Sequence, residues 1–268
     1  MDFNKILFVT DADGTLLNSR TQISLKDRTA INEFINGGGM FTVATGRNIS
    51  LMRIVADDLK LRLPAIVFNG AAIYDFNADK LLWRTSLSGK ARGYIRLFME
   101  RFPSLAVEIL NGDDTYVVRS NDIEEAHIAL GYKSPVRCGF DEVPDNNWIK
   151  CLIVGEPDVI DQAIKFSLEQ NFTDVHMVRS APVFYEILPS GIDKGRGLRK
   201  LIELMDIRDR YIVAAGDFMN DIEMLETADL AIAVANAEDS VKSAADIIVC
   251  DNNSGAMREI VEYLKQLD

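Results

Sequence analysis

Short runs of apolar residues without polar alternation recur near both ends of the chain. They lie at residues 6–9, 41–44, 65–68, 212–215, 230–234 and 247–249. Such runs are typical of strands that are buried on both faces of a parallel sheet. Amphipathic stretches separate them, for example residues 24–36, which open on the helix-capping residue Ser24 and end before three glycines. Strands that alternate with helices predict an α/β fold with a doubly wound, Rossmann-like parallel sheet.

The middle of the chain has a different pattern, in which apolar and polar residues alternate over short segments. The predicted strands are 105–110, 115–118, 148–154, 175–179 and 183–188, and the predicted helices lie near 88–101, 122–130 and 158–170. Paired strands joined by short turns form antiparallel sheets, which helices commonly cover on one face. We therefore expect an α+β cap domain at 84–186, inserted into a core formed by 1–83 and 187–268.

Composition and charge narrow the class of protein. The 268 residues are 48% hydrophobic and 26% charged, as in an ordinary folded protein of about two domains. The net charge of −12 disfavours binding to nucleic acids and to anionic membranes. Cys138, Cys151 and Cys250 are too widely spaced for a thiolate zinc site, and Cys151 is predicted as a buried strand residue. With no export signal or membrane span predicted, we expect a cytoplasmic protein that is a monomer or a weak homodimer.

The segment DADGTLL at 11–17 is the first candidate site, because it follows the first predicted strand directly. Open α/β sheets bind ligands at the carboxyl ends of their strands. In extended backbone Asp11 and Asp13 point the same way, so both carboxylates can face one site. A calcium loop that starts at Asp11 is excluded, since it would need glycine and glutamate where Leu16 and Gln22 stand. Capping of a following helix remains open for Asp13.

Further polar motifs stand at the ends of predicted strands or before a predicted helix. They are ATGR at 44–47, NGA at 69–71, PSGIDKG at 189–195, GDFMND at 216–221 and ANA at 235–237. Together with DADGTLL, and with a cap-sized insertion in the right interval, these motifs resemble those of the haloacid dehalogenase-like phosphohydrolases. The NGA and ANA runs are similar to those of the Cof-type branch, which carries a large α/β cap. The resemblance spans the whole chain.

The resemblance implies a role for each motif residue. Asp11 would be the nucleophile that forms an aspartyl phosphate, and Asp13 the general acid and base. Asp11, Asp217 and the backbone carbonyl of Asp13 would bind Mg²⁺, which prefers oxygen ligands. Phosphate contacts are expected from the Ala12 N–H, Thr45, Gly46, Lys194 and Asn220, support of the metal site from Asp221, and substrate contacts from Asn69 and Arg47. Arg47 has a second option, which is to pair with an acid of the cap.

The favoured function is therefore a magnesium-dependent phosphatase that acts on small phosphorylated metabolites such as sugar phosphates. A phosphomannomutase-like phosphoryl transferase is an alternative, since those enzymes resemble this chain in core and cap. A signalling receiver phosphorylated on aspartate is a third, but that class has no second acid two residues after the acceptor. His127 and His176 are interpreted as ordinary cap residues, because two distant histidines do not make a metal centre.

Overall fold

A computed structural model describes residues 2–112, 114–130, 134–144 and 147–267 of the chain. Most of the sequence-predicted strands and helices are present within a few residues of their predicted limits. The strands are β1 (Ile6–Thr10), β2 (Met40–Val43), β3 (Ala65–Val67), β4 (Ala72–Asp75), β5 (Lys80–Arg84), β6 (Ala106–Leu110), β7 (Thr115–Arg119), β8 (Val136–Arg137), β9 (Lys150–Val154), β10 (Val175–Ala181), β11 (Phe184–Pro189), β12 (Tyr211–Gly216), β13 (Leu230–Val234) and β14 (Ile247–Val249).

Several of the helices follow predicted amphipathic stretches, and α1, α2, α4 and α6 begin at a side-chain cap. Ser24 accepts a hydrogen bond from the Asp27 N–H (3.1 Å) at the start of the first helix, as predicted for a capping serine. The helices are α1 (Leu25–Asn36), α2 (Ile49–Leu59), α3 (Ala91–Arg101), α4 (Asp122–Ile128), α5 (Pro157–Glu169), α6 (Lys194–Met205), α7 (Ile222–Leu225), α8 (Asp239–Ala244) and α9 (Ala256–Gln266).

Five strands form a parallel core sheet in the order β14-β13-β12-β1-β2. β1 and β13 are buried along their whole length, which explains their unbroken apolar sequences. The order reverses at β1, because the chain adds β2 on one side of it and β12 on the other. The predicted α/β fold with a Rossmann-like core is confirmed, and a site is expected where β1 and β12 end side by side.

The run at 65–68 differs from its prediction as a strand of this parallel sheet. β3 has no regular pairing with β2: an isolated parallel bridge joins Ile66 to Ala44, the residue after β2, and β3 then pairs antiparallel with β4, which pairs with β5. The chain reverses after β3 through Phe68, Asn69 and Gly70, which have φ values of 53°, 51° and 93°. Three consecutive residues in the left-handed region are unfavourable, so surrounding contacts must hold this turn.

A second sheet, the cap sheet, has the order β10-β11-β9-β6-β7-β8 and is antiparallel except for the pair β7–β8. On one face, Val107 and Ile153 pack with Phe98 of α3 and Ile160 of α5. The opposite face of the cap sheet lies over the carboxyl end of the core sheet, where β10 contacts the short 3₁₀ turn Met219–Asp221.

The domain limits at 83/84 and 186/187 stay a prediction, and they fall inside β5 and β11. No helix in the described ranges has the length and apolar character to span a bilayer.

Candidate active site

Asp11 lies at the centre of the core sheet, immediately after β1. Its N–H donates to the Ala215 carbonyl of β12 (2.8 Å), which extends the strand pairing by one residue, and Asp11 is only 5% exposed. Asp217 follows β12 in the same way, so the two carboxylates meet at the same edge of the sheet. The sequence prediction that these acids share one site agrees with their position.

Lys194 joins Asp11 to the third acid of the site. It is the first residue of α6, where Asp193 caps the helix, and it is 1% exposed. The Lys194 Nζ donates to a carboxylate oxygen of Asp11 and to Oδ1 of Asp221 (2.6 Å). A lysine seen in isolation is usually a solvated surface residue, whereas this one is an internal counter-charge.

The acids of the site outnumber the bases beside them, and their pKa values reflect this. Burial raises the pKa of Asp11 well above its ordinary value, opposed by Lys194 and reinforced by Asp221 and Asp217. Burial, with Asp221, raises the pKa of Asp217 to about 7. Burial lowers the pKa of Lys194, but Asp11 and Asp221 raise it more, so its pKa lies above the ordinary value. The three acids of the site therefore carry more potential negative charge than the single cation Lys194 can balance.

A divalent cation fits this arrangement. Oxygen atoms of Asp11, Asp217 and Asp221 lie within 4.8 Å of one another. Asp221 is nevertheless heavily used by the protein: its Oδ2 accepts from the N–H groups of Asp217 (2.9 Å) and Phe218 (3.1 Å), and its Oδ1 from Lys194. Asp11 and Asp217 have more freedom to bind an ion, while Asp221 closes the turn on which Asp217 stands. All three donors are oxygen, the set that Mg²⁺ prefers.

The loop after β1 packs closely around Asp217. Thr15 Oγ1 donates to Asp217 Oδ1 (2.6 Å). Gly14 has φ of 84°, and a Cβ at this position would lie 2.2 Å from Asp217 Oδ2. Any side chain at Gly14 would therefore displace Asp217, which explains why glycine follows the acid pair. Ala12 is fully buried, and its N–H donates to no acceptor within the described ranges, as expected of a group kept for a ligand.

Asp13 is paired with Arg47 and is not a member of the carboxylate cluster of Asp11, Asp217 and Asp221. Arg47 donates through Nε to Oδ2 (2.8 Å) and through Nη2 to Oδ1 (2.6 Å) of Asp13. The Asp13 side chain is 55% exposed, towards the space between core and cap. The predicted pairing of Arg47 with an acid of the cap is not found, because its acidic partner belongs to the core, and contact with a substrate stays a prediction.

Thr45 and Gly46 lie on the loop that follows β2. Thr45 is buried, and its Oγ1 accepts from the Arg47 N–H (3.1 Å). Neither residue belongs to a helix, because α2 begins at Ile49 and its capping residue is Asn48, which accepts from the Leu51 N–H (2.9 Å). The two residues instead form an irregular loop beside Asp11.

Asn69 connects the core to the cap. Its Nδ2 donates to Glu186 Oε2 of β11 (2.7 Å), and its Oδ1 accepts from Asn220 Nδ2 (2.9 Å). Lys150 of β9 pairs with the same Glu186 oxygen (3.0 Å) and donates to the Gly46 carbonyl (2.7 Å). A continuous set of buried hydrogen bonds therefore joins the cap sheet to the loops that carry the candidate phosphate contacts.

A cavity of about 580 Å³ lies between these loops and the cap sheet, which is enough for a small metabolite. Several of its polar wall residues come from the cap and were missed in the sequence. They are Glu108, His127, Lys150 and Glu186. The signal that could have found three of them is a charged residue inside an otherwise apolar strand, as in AVEIL, KCLIV and FYEIL. Cys151 is a buried strand residue, as predicted.

Comparison with known proteins decides the family. A model of the haloacid dehalogenase-like hydrolase family matches residues 8–261, nearly the whole chain. The chain belongs to this family. Two similar proteins are from Bacillus subtilis (strain 168): the 5-amino-6-(5-phospho-D-ribitylamino)uracil phosphatase YcsE (29% identity over 96% of this chain and 94% of that protein) and the putative phosphatase YxeH (30% identity, 96% and 97%).

Two solved structures share the architecture over nearly the whole chain. A protein from Thermotoga maritima is 28% identical with a TM-score of 0.78, and the alignment covers 96% of each chain. A haloacid dehalogenase-like hydrolase from Bacteroides thetaiotaomicron is 25% identical with a TM-score of 0.82, over 96% of this chain and 98% of its own. The predicted membership of the Cof-type branch is thus confirmed, and this hydrolase is a phosphatase.

Proposed function

We propose that this phosphatase hydrolyses small phosphomonoesters, sugar phosphates among them, through an aspartyl phosphate on Asp11 and with Mg²⁺ bound. The supporting observation is the position of Asp11, a buried carboxylate beside Lys194 at the bottom of a cavity onto which Asp13 opens. A nucleophile and a separate proton donor are the two groups that two-step hydrolysis requires.

In the first step a carboxylate oxygen of Asp11 attacks phosphorus, and the bond from phosphorus to the leaving-group oxygen breaks. Asp13 gives that oxygen a proton, so the product leaves as a neutral alcohol. Lys194 reduces the repulsion between the carboxylate and the phosphoryl oxygens. Arg47 must loosen its hold on Asp13 for this step, because a bidentate guanidinium favours the ionised carboxylate. The incoming phosphate is a competing partner for Arg47.

In the second step water attacks phosphorus, and the bond to Asp11 breaks. Asp13, now ionised, takes the proton of the water, and inorganic phosphate is released. Its exposed carboxylate can reach a water molecule in the cavity, whereas Asp11 is enclosed. The buried N–H of Ala12 and the loop of Thr45 and Gly46 are placed to hold the phosphoryl oxygens.

Magnesium would be held by Asp11, Asp217 and the backbone of Asp13, with Asp221 fixing the turn behind Asp217. When bound, the ion would neutralise part of the phosphate charge. Its positive charge would also lower the pKa values of Asp11 and Asp217, which burial and the neighbouring acids raise.

A small substrate is favoured by the size and enclosure of the cavity. The hydrogen bonds of Lys150 and Asn69 hold the cap sheet over the site, which obstructs a protein surface. The net charge of −12 also disfavours polyanions. The name of the relative YcsE, a phosphatase of a phosphorylated ribityl compound, agrees with this class.

The test is release of inorganic phosphate from a panel of sugar phosphates, nucleotides and cofactor phosphates, with and without Mg²⁺. We expect magnesium-dependent release from several small monoesters and rapid acid quenching to trap phosphate on the wild-type protein. The Asp11→Asn protein should give neither. Phosphate transfer within a sugar phosphate, without release, would support the mutase alternative, and turnover faster with a phosphoprotein than with every small ester would contradict the proposal.

A further inference from the structure

The cap sheet presents an acid to the cavity besides Glu186. Glu108 on β6 stands opposite Leu152 of β9, and Leu152 in turn stands opposite Glu186 of β11. Side chains that face one another across a sheet lie on the same side, so Glu108 and Glu186 belong to the same face, and both line the cavity. Glu108 is 3% exposed. It is therefore a buried acid at the wall of a substrate-sized space.

The two acids of this face differ in their partners. Glu186 accepts from Asn69, Ser180 (2.5 Å) and Lys150. Glu108 has no arginine or lysine within ion-pair distance in the part of the chain that the structure describes. A buried carboxylate without a basic partner is costly, so such a group is a candidate for binding a ligand that carries the missing charge.

Glu124 of α4 lies next to Glu108. Its backbone N–H binds the capping residue Asn121 (2.9 Å), which holds the first turn of the helix against the sheet. Its side chain is fully buried, and neither carboxyl oxygen has a hydrogen-bond donor among the described residues. Burial, with Glu108 beside it, raises the pKa of Glu124 to about 10. Glu124 is therefore protonated at neutral pH and can donate a hydrogen bond to the Glu108 carboxylate.

His127 does not balance that charge. It lies one turn after Glu124 on α4, lines the cavity, and packs against the Phe184 ring with centroids 4.9 Å apart. Burial lowers its pKa, so the imidazole is neutral near pH 7. The imidazole lines the same cavity as Glu108 and Asp13. A neutral histidine there offers a hydrogen bond and no charge.

We propose that Glu108, with Glu124 and His127, forms a subsite for an ammonium group on the leaving group, so that the preferred substrates are amino-bearing phosphomonoesters. The inference rests on the proposed phosphatase reaction. Glu108 accepts the cation, Glu124 fixes the Glu108 carboxylate through its proton, and His127 contacts the chain between nitrogen and phosphate. The apolar neighbours Leu110 and Leu152 line the same wall and suit the carbon part of such a substrate.

The experiment compares ω-aminoalkyl phosphates with ω-hydroxyalkyl phosphates of matched chain length, from two to six carbons. The phosphate position is set by the catalytic loops, so the series varies the distance from phosphate to nitrogen. The measured quantity is the ratio of kcat/KM for the amine to kcat/KM for the alcohol. We expect this ratio to exceed about ten at one or two neighbouring chain lengths, as expected of a charge-assisted hydrogen bond.

Three variants sharpen the test. Glu108→Gln keeps the shape but removes the charge, and should lower the ratio at the preferred length about tenfold. Glu124→Gln keeps a donor for Glu108, and should hold the ratio within about twofold, whereas general damage to the cap would not spare it. Glu169→Gln is the matched control, because Glu169 is an exposed acid at the end of α5.

The outcomes separate this inference from the proposed function. Absence of phosphate release from every compound would contradict the phosphatase reaction itself. Release with a ratio near one at all chain lengths, or a high ratio that Glu108→Gln leaves unchanged, would overturn the ammonium subsite while the phosphatase reaction stands.

Discussion

The charged side chains at the bottom of the cavity and those on its cap wall differ in the partners they have. At the bottom, where β1, β12 and α6 end or begin, Lys194 binds Asp11 and Asp221 within the core alone. At the wall, Lys150 reaches out of the cap to the Gly46 carbonyl, and Glu108 has no basic partner in the described ranges. At the bottom, the charged side chains therefore pair with one another within the core. At the wall, Lys150 connects the cap to the core, while Glu108 remains available to a ligand.

The difference follows from what each region must do. A phosphoryl group is the same in every substrate, so its contacts can be built once on rigid loops at strand ends. The leaving group varies, and the residues proposed to bind it stand on a separate sheet that has to be held against the core. Single substitutions in the two regions should therefore have effects of different kind and size.

The largest effect is expected from Asp11→Asn, which should lower turnover by about a thousandfold or more. The amide is almost the same size but is a far weaker nucleophile, so the fold should persist. Phosphate release and thermal unfolding are measured together, with Asp57→Asn on the exposed side of α2 as the control. Substantial activity in a folded Asp11→Asn protein would contradict nucleophilic catalysis by this residue.

Removal of the metal tests the bottom of the cavity in a second way. Chelation should stop turnover without unfolding the protein, because the acids stand on loops that the sheet and Lys194 already hold. Asp217→Ala should raise the Mg²⁺ concentration for half-maximal activity about a hundredfold, by analogy with the loss of other metal-binding groups. Unchanged magnesium dependence in that variant would place the ion elsewhere.

The two buried lysines allow a direct comparison of stability. Lys194→Met should lower the free energy of unfolding by about 3 kcal/mol, because it leaves Asp11 and Asp221 together without their cation. Lys150→Met should cost less, about 1–2 kcal/mol, since Glu186 keeps Ser180 and Asn69 as donors. Urea unfolding of both variants measures the difference. A larger loss for Lys150→Met would mean that the contacts between cap and core contribute more to stability than the contacts of Lys194 within the core.

The last prediction concerns the wall of the cavity and depends on pH. The pKa of Glu124 is raised in the folded protein, so above pH 4.5 the unfolded chain releases a proton that the folded chain retains, and stability falls as pH rises towards about 10. The slope from this group is at most about 1.4 kcal/mol per pH unit. Glu124→Gln should flatten the curve of unfolding free energy from pH 5 to 9 relative to wild type. Parallel curves for the two proteins would contradict a protonated Glu124.

The sequence predicts the bottom of the cavity better than its wall. Asp11, Lys194 and Asp217 are recognisable because phosphoryl transfer needs given residue types just after buried strands, and both signals are local. The partner of Arg47 was not predicted, since the pairing with Asp13 joins loops that follow different strands. The role of Glu108 was not predicted either, because it depends on contacts with α4, a separate segment of the chain.

The hairpin of β4 and β5 was missed for a different reason. The preceding run of apolar residues continues without interruption from β3 into Phe68, so periodicity alone indicates one longer strand. The reversal depends on positive φ at Phe68 and Asn69, a conformation that asparagine tolerates but phenylalanine strongly disfavours. Contacts made only in the folded molecule, such as Asn69 with Asn220, hold them there.

The bonds of Asn69 and Lys150 bear on how caps can be exchanged between related enzymes. A transplanted cap that lacks a lysine at position 150 or a glutamate at position 186 would meet the core without partners for the Gly46 carbonyl and for Asn69. Positions 150 and 186 therefore attach the cap to the core and should be kept, while position 108 can vary with the substrate. A chimaera designed to acquire a new substrate should therefore keep the recipient's residues at positions 150 and 186. The other cavity-facing residues of the cap sheet can come from the donor.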